Sequence, residues 1–326
     1  MNFSYTGLRG KKIVVTGGGG FLGSFVVEAL QAVGVTEICV PRKQNYDLTQ
    51  REAAAQLYAD ATPNILIHLA ATVGGIGANR SNPGRFFYEN MAMGLHVIDE
   101  ARRYGRLEKL VFVGTTCSYA RDTATPFCED DLWSGYPEKT NAPYGIAKRA
   151  LLVMLQGYRR QYDLNSIYLI PANLYGPGDN FDAETSHVIP ALIRKFVEAR
   201  QQRLPSVSVW GTGQVSREFL YVEDAAEGIV LATGHYEKPE PVNLGSNVEI
   251  FIKDLVNKIA DAVGYQGKIE WDSAQPDGQL RRRLSVERAF REFGFHARTN
   301  LEVGLRKTLA WYEERCTAIS GRIGQA

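Results

Sequence analysis

The sequence predicts an α/β fold, a doubly wound parallel sheet with a smaller mixed region, on three observations. Short β-rich runs alternate with longer helical patterns through the first half of the 326-residue chain. A glycine-rich turn joins the first of these runs to the first helical pattern. After Gly176 the sequence becomes polar and rich in turns, and then mixes short strands with helices. Alternating strands and helices are typical of a parallel sheet with crossover helices.

The individual elements follow from the apolar runs and their spacing. Strands are predicted at KIVVTG, EICV, ILIHLAA, KLVFVGT and SIYLIPANLYG, with about seven in parallel when PVNLG at 241–245 is counted. Helices are predicted at about 21–33, 50–60, 86–104, 143–161, 188–202, 250–263 and 301–315. Because REFLYVEDAAEGIVLAT and PVNLG look like a return to the sheet, the predicted domains are discontinuous. The sheet domain takes 1–176 and about 212–246, and the smaller α/β domain takes about 177–211 and 247–326.

The charge balance favours a small-molecule partner. The chain has 37 Lys and Arg residues against 36 Asp and Glu, without a long run of one sign. Neither a nucleic acid nor a membrane surface is therefore an expected partner. No apolar run approaches the roughly 20 residues of a membrane span, and the N-terminus has no signal-peptide pattern. We expect a cytoplasmic protein.

The four cysteines show neither a CxxC pair nor a Cys/His zinc pattern. This predicts a reducing compartment and no bound metal. Cys39 lies in an apolar strand and is assigned to the core. Taken alone, Cys117 is most simply a small buried hydrophobe. Cys128 and Cys316 receive no role.

The glycine-rich turn VVTGGGGFLGS predicts a dinucleotide site. Gly17, Gly20 and Gly23 follow a strand at GxxGxxG spacing, and Phe21 and Leu22 open the next helix. Glycines let the backbone turn sharply and approach a pyrophosphate, whose charge the helix N-terminus stabilises. A plain tight turn is the alternative, but the flanking strand and helix favour a Rossmann-type site.

The end of the second strand indicates which dinucleotide binds. The sequence there is CVPRKQNYDL, with Arg42 and Lys43 where an acid would accept the ribose hydroxyls of NAD. Cations at this position favour the 2′-phosphate of NADPH/NADP. A solvated basic loop is the alternative. Asp47 can hydrogen-bond the adenine amino group.

A further cluster predicts proton transfer. In YGIAK, Tyr144 and Lys148 are four residues apart and share a helix face. An ammonium beside a phenol favours the phenolate, so this pair can exchange a proton near neutral pH. The YxxxK pattern occurs by chance in many helices, but the strand ending GTTCS places Thr115 at the same edge of the sheet.

Together these residues resemble the extended short-chain dehydrogenase/reductase family. There a Ser or Thr, a Tyr and a Lys surround a carbonyl carbon that exchanges hydride with the nicotinamide. The resemblance implies that Thr115 and Tyr144 act on the carbonyl and that Lys148 holds the nicotinamide ribose. It also implies that the cofactor is lined by Leu69, Ala70, Ala71, Asn90, Asn173 and His187.

Linked motifs over residues 11 to about 310 narrow the resemblance. They are HLAATVGGIGANRSNPGRFFYEN, GTTCSYA, TNAPYGIAK, NLYGPGDNFD, SHVIPALIRK, VWGTGQVSREFLYVEDAA and QPDGQLRR. In order and spacing they are similar to the GDP-L-fucose synthase family, which epimerises GDP-4-keto-6-deoxy-D-mannose at C3 and C5 and reduces it at C4. The resemblance implies that Cys117 and His187 exchange protons at the carbons flanking the ketone. A helix-mouth histidine is the alternative for His187.

The resemblance also implies a GDP-sugar partner and a homodimer, whose interface would use the helices near 86–104 and 143–161. Residues expected to contact the sugar nucleotide are Asn79, Arg80, Lys195, Trp210, Arg217 and Arg282. For the cations, solvated helix or loop charges are the alternative, and Trp210 can equally be core. The segment GGIGANR at 74–80 is expected to be a mobile loop over the substrate.

Three rival functions stay open. A C4 epimerase or dehydratase would hold NAD tightly, which Arg42 and Lys43 disfavour. A reductase of a 3-deoxy GDP-sugar, as in colitose synthesis, or of a GDP-heptose would share most of the motifs. A non-catalytic NADP(H) sensor would bind the cofactor without turnover. The order of the two epimerisations is not predicted.

Overall fold

A computed structural model describes residues 5–274 and 278–323. Residues 275–277, the first three of QPDGQLRR, lie outside the described residues. The described strands are β1 (Lys12–Thr16), β2 (Glu37–Cys39), β3 (Ile65–His68), β4 (Lys109–Val113), β5 (Ser166–Pro171), β6 (Asn173–Tyr175), β7 (Ser206–Trp210), β8 (Ser216–Tyr221), β9 (Val242–Leu244), β10 (Glu249–Phe251) and β11 (Lys268–Asp272).

All seven predicted helices are present among the described residues, six of them to within a few residues, whereas the last is longer than predicted. The helices at 76–81, 222–235 and 287–293 were not predicted. The described α-helices are α1 (Phe21–Ala32), α2 (Arg51–Ala61), α3 (Ile76–Ser81), α4 (Pro83–Tyr104), α5 (Ala142–Tyr162), α6 (Val188–Gln201), α7 (Val222–His235), α8 (Ile252–Val263), α9 (Glu287–Phe293) and α10 (Leu301–Ile323). In the described ranges, no helix is both long and apolar enough to cross a bilayer.

The main sheet confirms the predicted fold class. Its order is β2-β1-β3-β4-β5-β9, with every neighbouring pair parallel. The inner strands β3, β4 and β5 are buried along their whole length, as expected for strands covered on both faces. Helix α1 packs against α7, and α4 packs against α2 and α5.

The prediction of about seven strands in the main sheet was wrong, because the described residues contribute six. PVNLG does return to this sheet as β9, beside β5. REFLY does not, because β8 pairs with β10 and β6 in a separate three-stranded sheet. A two-stranded sheet joins β11 to β7.

Two other sequence expectations were wrong. Cys39 is exposed rather than in the core, because β2 is the edge strand of the main sheet. The segment GGIGANR is not wholly a loop, because Ile76–Ser81 forms the short helix α3.

The buried apolar side chains of the described residues form two clusters. One surrounds the main sheet and includes Val14 of β1 and Val111 of β4. The other lies between α6, α8 and α10 and includes Phe196, Ile259 and Leu305. The residues that follow the carboxyl ends of β1, β3, β4 and β5 border a cavity shared with α6 and β7.

Candidate active site

A cavity of about 1400 Å³ lies at the carboxyl edge of the main sheet. In the sheet, β1 lies between β2 and β3, so the chain first crosses from β1 to one side and later returns to the other. Open α/β sheets bind ligands at such a switch point. Most residues predicted for the site line it: Gly17, Gly20, Phe21, Leu22, Gly23, Arg42, Lys43, Asp47, Leu69, Ala70, Ala71, Asn79, Thr115, Cys117, Tyr144, Lys148, Asn173, His187, Lys195, Trp210, Arg217 and Arg282.

The glycine turn packs too closely against neighbouring backbone to accept side chains. Gly17 has φ +73°, and a Cβ atom there would lie 2.8 Å from the backbone nitrogen of Ala70. A Cβ atom at Gly23 would collide with the carbonyl oxygen of Gly17. Helix α1 begins after Gly20, with no side-chain cap and no acid in its first turn. The turn therefore fits a dinucleotide pyrophosphate, because the positive end of α1 borders the cavity.

The basic residues after β2 lie beside this turn. A Cβ atom at Gly19 would overlap the guanidinium of Arg42, so that cation lies directly on the glycine turn. Asp47 accepts hydrogen bonds from the Thr49 backbone nitrogen at 3.1 Å and hydroxyl at 2.8 Å. The Thr49 hydroxyl contributes most to lowering the pKa of Asp47.

Thr115 follows β4 and begins a short turn at Thr116–Ser118. Its hydroxyl accepts a hydrogen bond from the backbone nitrogen of Cys117 at 3.2 Å, which holds the Thr115 side chain against the start of this turn. Burial raises the pKa of Tyr144, the charge of Cys117 raises it further, and a hydrogen bond with Thr115 acts in the opposite direction. The phenol therefore holds its proton, which suits an acid.

Lys148 is buried one turn further along α5. Its Nζ donates to the carbonyl of Val113 at 3.0 Å and lies 4.9 Å from the centre of the Phe112 ring. Burial lowers the pKa of Lys148 to about 7. Burial is the first cause of the pKa shift of both groups, raising the pKa of Tyr144 and lowering that of Lys148.

Two further groups contribute proton chemistry to the cavity. His187 precedes α6 and makes no side-chain capping bond. His187 lines the cavity. Burial by the surrounding residues lowers the pKa of its imidazole. Cys117 receives a hydrogen bond on its sulfur from Arg282, with NH1 to Sγ at 3.9 Å.

Two predicted residues do not line the cavity. Arg80 is exposed on α3. Asn90 is buried in α4, where its side chain donates to the carbonyls of Thr72 at 2.8 Å and Phe86 at 2.7 Å. Since Thr72 lines the cavity, Asn90 supports the cavity wall through this hydrogen bond and does not itself line the cavity.

The structure adds lining residues that the sequence reasoning missed. Gln279 is 7% exposed and binds the guanidinium of Arg282 through its side-chain oxygen. Glu138 lies just before α5 and accepts hydrogen bonds from the backbone nitrogen and hydroxyl of Thr140. Gln279 falls within QPDGQLRR, so that motif was the available signal.

The fold and the site define a dinucleotide-dependent enzyme with several titratable side chains in its cavity. The chain belongs to the NAD dependent epimerase/dehydratase family, which matches residues 13–245. The GDP-L-fucose synthase of Sinorhizobium fredii is 42% identical, over 92% of this chain and 95% of that protein. The probable GDP-L-fucose synthase 1 of Oryza sativa subsp. japonica is 39% identical, over 95% and 94%.

A solved structure agrees with these relatives. The GDP-L-fucose synthetase from Naegleria fowleri bound to NADP has a TM-score of 0.87 and 28% sequence identity, covering 95% of this chain and 94% of that one. These findings confirm the resemblance inferred from the linked motifs.

Proposed function

We propose that the chain catalyses NADPH-dependent 3,5-epimerisation and 4-reduction of GDP-4-keto-6-deoxy-D-mannose to GDP-L-fucose. One observation supports this most directly: Cys117 and His187 line the same cavity as Thr115, Tyr144 and Lys148. Reduction alone needs neither a thiol nor an imidazole at the sugar, whereas inverting a carbon centre needs a base and an acid on opposite faces.

The residues at the glycine turn would hold NADPH. Gly17, Gly20 and the start of α1 fit the pyrophosphate, and Arg42, with Lys43 nearby, suits the 2′-phosphate. Lys148 and Tyr144 would face the nicotinamide ribose. When bound, the cofactor supplies the hydride that reduces C4.

The epimerisations use the acidity of the hydrogens beside the ketone. One of Cys117 and His187 removes a proton from the sugar carbon, and the electron pair of the C–H bond moves to the C4 oxygen as an enolate. Hydrogen bonds from Thr115 and Tyr144 stabilise that oxygen. The other group returns a proton to the opposite face, which inverts the centre.

The reduction uses the same oxygen site. Tyr144 donates its proton to the C4 oxygen as the carbonyl becomes an alcohol, and its raised pKa keeps this proton available. Thr115 holds the oxygen in place, so one pair of hydroxyls serves all the chemical steps.

The cavity also has cations for the diphosphate. Lys195 donates to the carbonyl of Ser208 at 2.7 Å, and Arg217 donates to the carbonyls of Ser216 at 2.7 Å and Gln279 at 2.6 Å. These bonds fix both cations at the end of the cavity formed by α6, β7 and β8. Trp210 is 64% exposed there and offers a flat apolar surface to the nucleotide.

We further propose a cytoplasmic homodimer. Helices α4 and α5 pack together, and exposed apolar side chains on them include Tyr88, Leu95 and Val153. Tyr88 and Leu95 are seven residues apart and share one helix face. We also retain the proposed domains, 1–176 with about 212–246 for NADP and about 177–211 with 247–326 for the sugar nucleotide.

The proposal is tested by turnover with a defined substrate. Purified protein is incubated with NADPH and GDP-4-keto-6-deoxy-D-mannose, absorbance at the nicotinamide band is followed, and the product is identified by NMR. We expect stoichiometric NADPH oxidation and GDP-L-fucose. If the protein instead converts only the 3-deoxy analogue or a 4-keto GDP-heptose, that sugar is its substrate. If it binds NADPH but converts none of these sugars, the non-catalytic NADP(H) sensor is the better assignment.

A further inference from the structure

The cation of Arg282 lies against the sulfur of Cys117. Its NH1 donates to Sγ at 3.9 Å, and Arg282 is 8% exposed while Cys117 is half-buried, so the contact is partly shielded from solvent. Charge interactions are stronger in such surroundings than in water. We propose that Arg282 is the counter-ion of a Cys117 thiolate and that Gln279 is the positioning residue that holds it there.

Gln279 fixes the orientation of the guanidinium. Its Oε1 accepts from Arg282 Nε at 3.3 Å and from NH2 at 3.1 Å, which leaves NH1 directed at the sulfur. Its own Nε2 donates to the carbonyl of Arg121 at 2.7 Å. The cation is therefore held by a buried amide that is itself anchored to the backbone, an arrangement that pre-organises a charge before the reaction.

This arrangement matters because only the thiolate is a base. When the thiolate takes a proton from the sugar carbon, an S–H bond forms and the C–H electron pair moves to the C4 oxygen. Arg282 stabilises the negative charge on sulfur before that step. The inference rests on the proposed function for the proton transfers at the sugar, and it takes Cys117 as the group that removes the proton.

Thiol alkylation of the full chain without sugar tests the inference. Iodoacetamide at one pH labels the protein, and mass spectrometry of peptides gives a separate rate for each cysteine. Cys39 and Cys128 are exposed internal references, and burial raises the pKa of both. We expect Cys117 to react faster than either of them although it is less exposed.

Three variants separate the contributions. In Arg282→Met we expect the Cys117 rate to fall about tenfold or more, the effect of losing a hydrogen bond to a charged group, with the reference rates unchanged. Gln279→Met should lower the Cys117 rate by a smaller factor, because the cation remains but loses its anchor. Arg281→Met is the matched control, since the neighbouring Arg281 is exposed and paired with Glu249.

NADPH binding, followed by its fluorescence, verifies that each variant is folded. An unchanged or increased Cys117 rate in folded Arg282→Met overturns the inference. If Arg282→Met does not fold, an unchanged Cys117 labelling rate in Gln279→Met overturns the inference instead. Labelling needs no turnover, so the two proposals can fail separately. If Cys117 is labelled as expected but no GDP-sugar is converted, the counter-ion inference stands and the proposed function is wrong.

Discussion

The backbone nitrogen of Gly75 donates a hydrogen bond to the carbonyl of Thr185 at 3.0 Å, two residues before His187. This bond ties the segment after β3 to the start of α6. Asn79 holds the same segment by donating to the carbonyls of Gly74 at 2.8 Å and Gly75 at 3.1 Å. The position of the imidazole therefore depends on a glycine segment that is remote from it in sequence.

Substituting this glycine is expected to impair His187 alone. A Cβ atom at Gly75 would lie 2.6 Å from the carbonyl oxygen of Ser186, so Gly75→Ala must displace the residues before His187. Epimerisation should fall by about a hundredfold, the cost of misplacing a catalytic group by about 1 Å, while NADPH binding is retained. Solvent-deuterium uptake into the sugar measures this rate.

The matched control is Gly84→Ala, because a Cβ atom at Gly84 would meet nothing within 4 Å. Equal uptake rates in the two variants would show that the contact does not position His187.

Removing the buried Lys148 is expected to stabilise the protein at neutral pH. Burial lowers the pKa of Lys148 from 10.5 to about 7, so between these values the unfolded chain binds a proton that the folded chain does not. The contribution of Lys148 to the free energy of unfolding therefore rises with pH between these two pKa values, by at most about 1.4 kcal/mol per pH unit. Lys148→Met should have a higher Tm than the wild type at pH 7, and the difference should shrink by pH 9.5.

The same variant should lose reductase activity, because it lacks the group that we propose to face the nicotinamide ribose. The exposed Lys139→Met is the control and should show neither effect. A Tm difference that is constant with pH would contradict this account of Lys148.

Arg42 is expected to set the cofactor preference. Its guanidinium lies on the glycine turn, where the 2′-phosphate would bind. In Arg42→Ala, the ratio of kcat/KM for NADPH to that for NADH should fall at least about tenfold, since a charge-assisted contact is lost. Arg106→Ala, a change at an exposed site outside the cavity, should leave the ratio unaltered. The same NADPH-to-NADH ratio of kcat/KM in both variants would show that Arg42 does not bind the 2′-phosphate.

Cys117→Ser is expected to abolish solvent-deuterium uptake into the sugar and to leave NADPH binding intact. A serine hydroxyl is far less acidic than a thiol and cannot act as the base. Cys128→Ser, an exchange at an exposed cysteine, should behave as the wild type. Retained uptake in Cys117→Ser would remove Cys117 as the base.

Much of the fold follows from the sequence because its signals are local. Short, nearly continuous apolar runs such as ILIH and KLVFV, bounded by turn residues, favour inner strands of a covered sheet. The partner of REFLY could not be predicted, because strand pairing depends on distant segments. An edge strand such as EIC also looks buried until its neighbours are known, which explains the error at Cys39.

For the site, most residues that the sequence predicted do line the cavity, since their motifs follow strand ends that meet at one edge. It did not predict the contacts between them. The bond from Arg282 to Cys117 spans 165 residues, and the bond from Gly75 to Thr185 joins two loops. The pKa of Tyr144 is raised mainly because its side chain is buried, and burial is a property of the packed chain.

The central claim is that one cavity performs two epimerisations and a reduction. The most direct measurement is a single reaction in deuterated water with NADPH and GDP-4-keto-6-deoxy-D-mannose, followed by NMR of the product. The account predicts GDP-L-fucose with deuterium at both C3 and C5. NADPH oxidation that leaves both positions unlabelled would contradict it, because the sugar would then have been reduced without passing through an enolate.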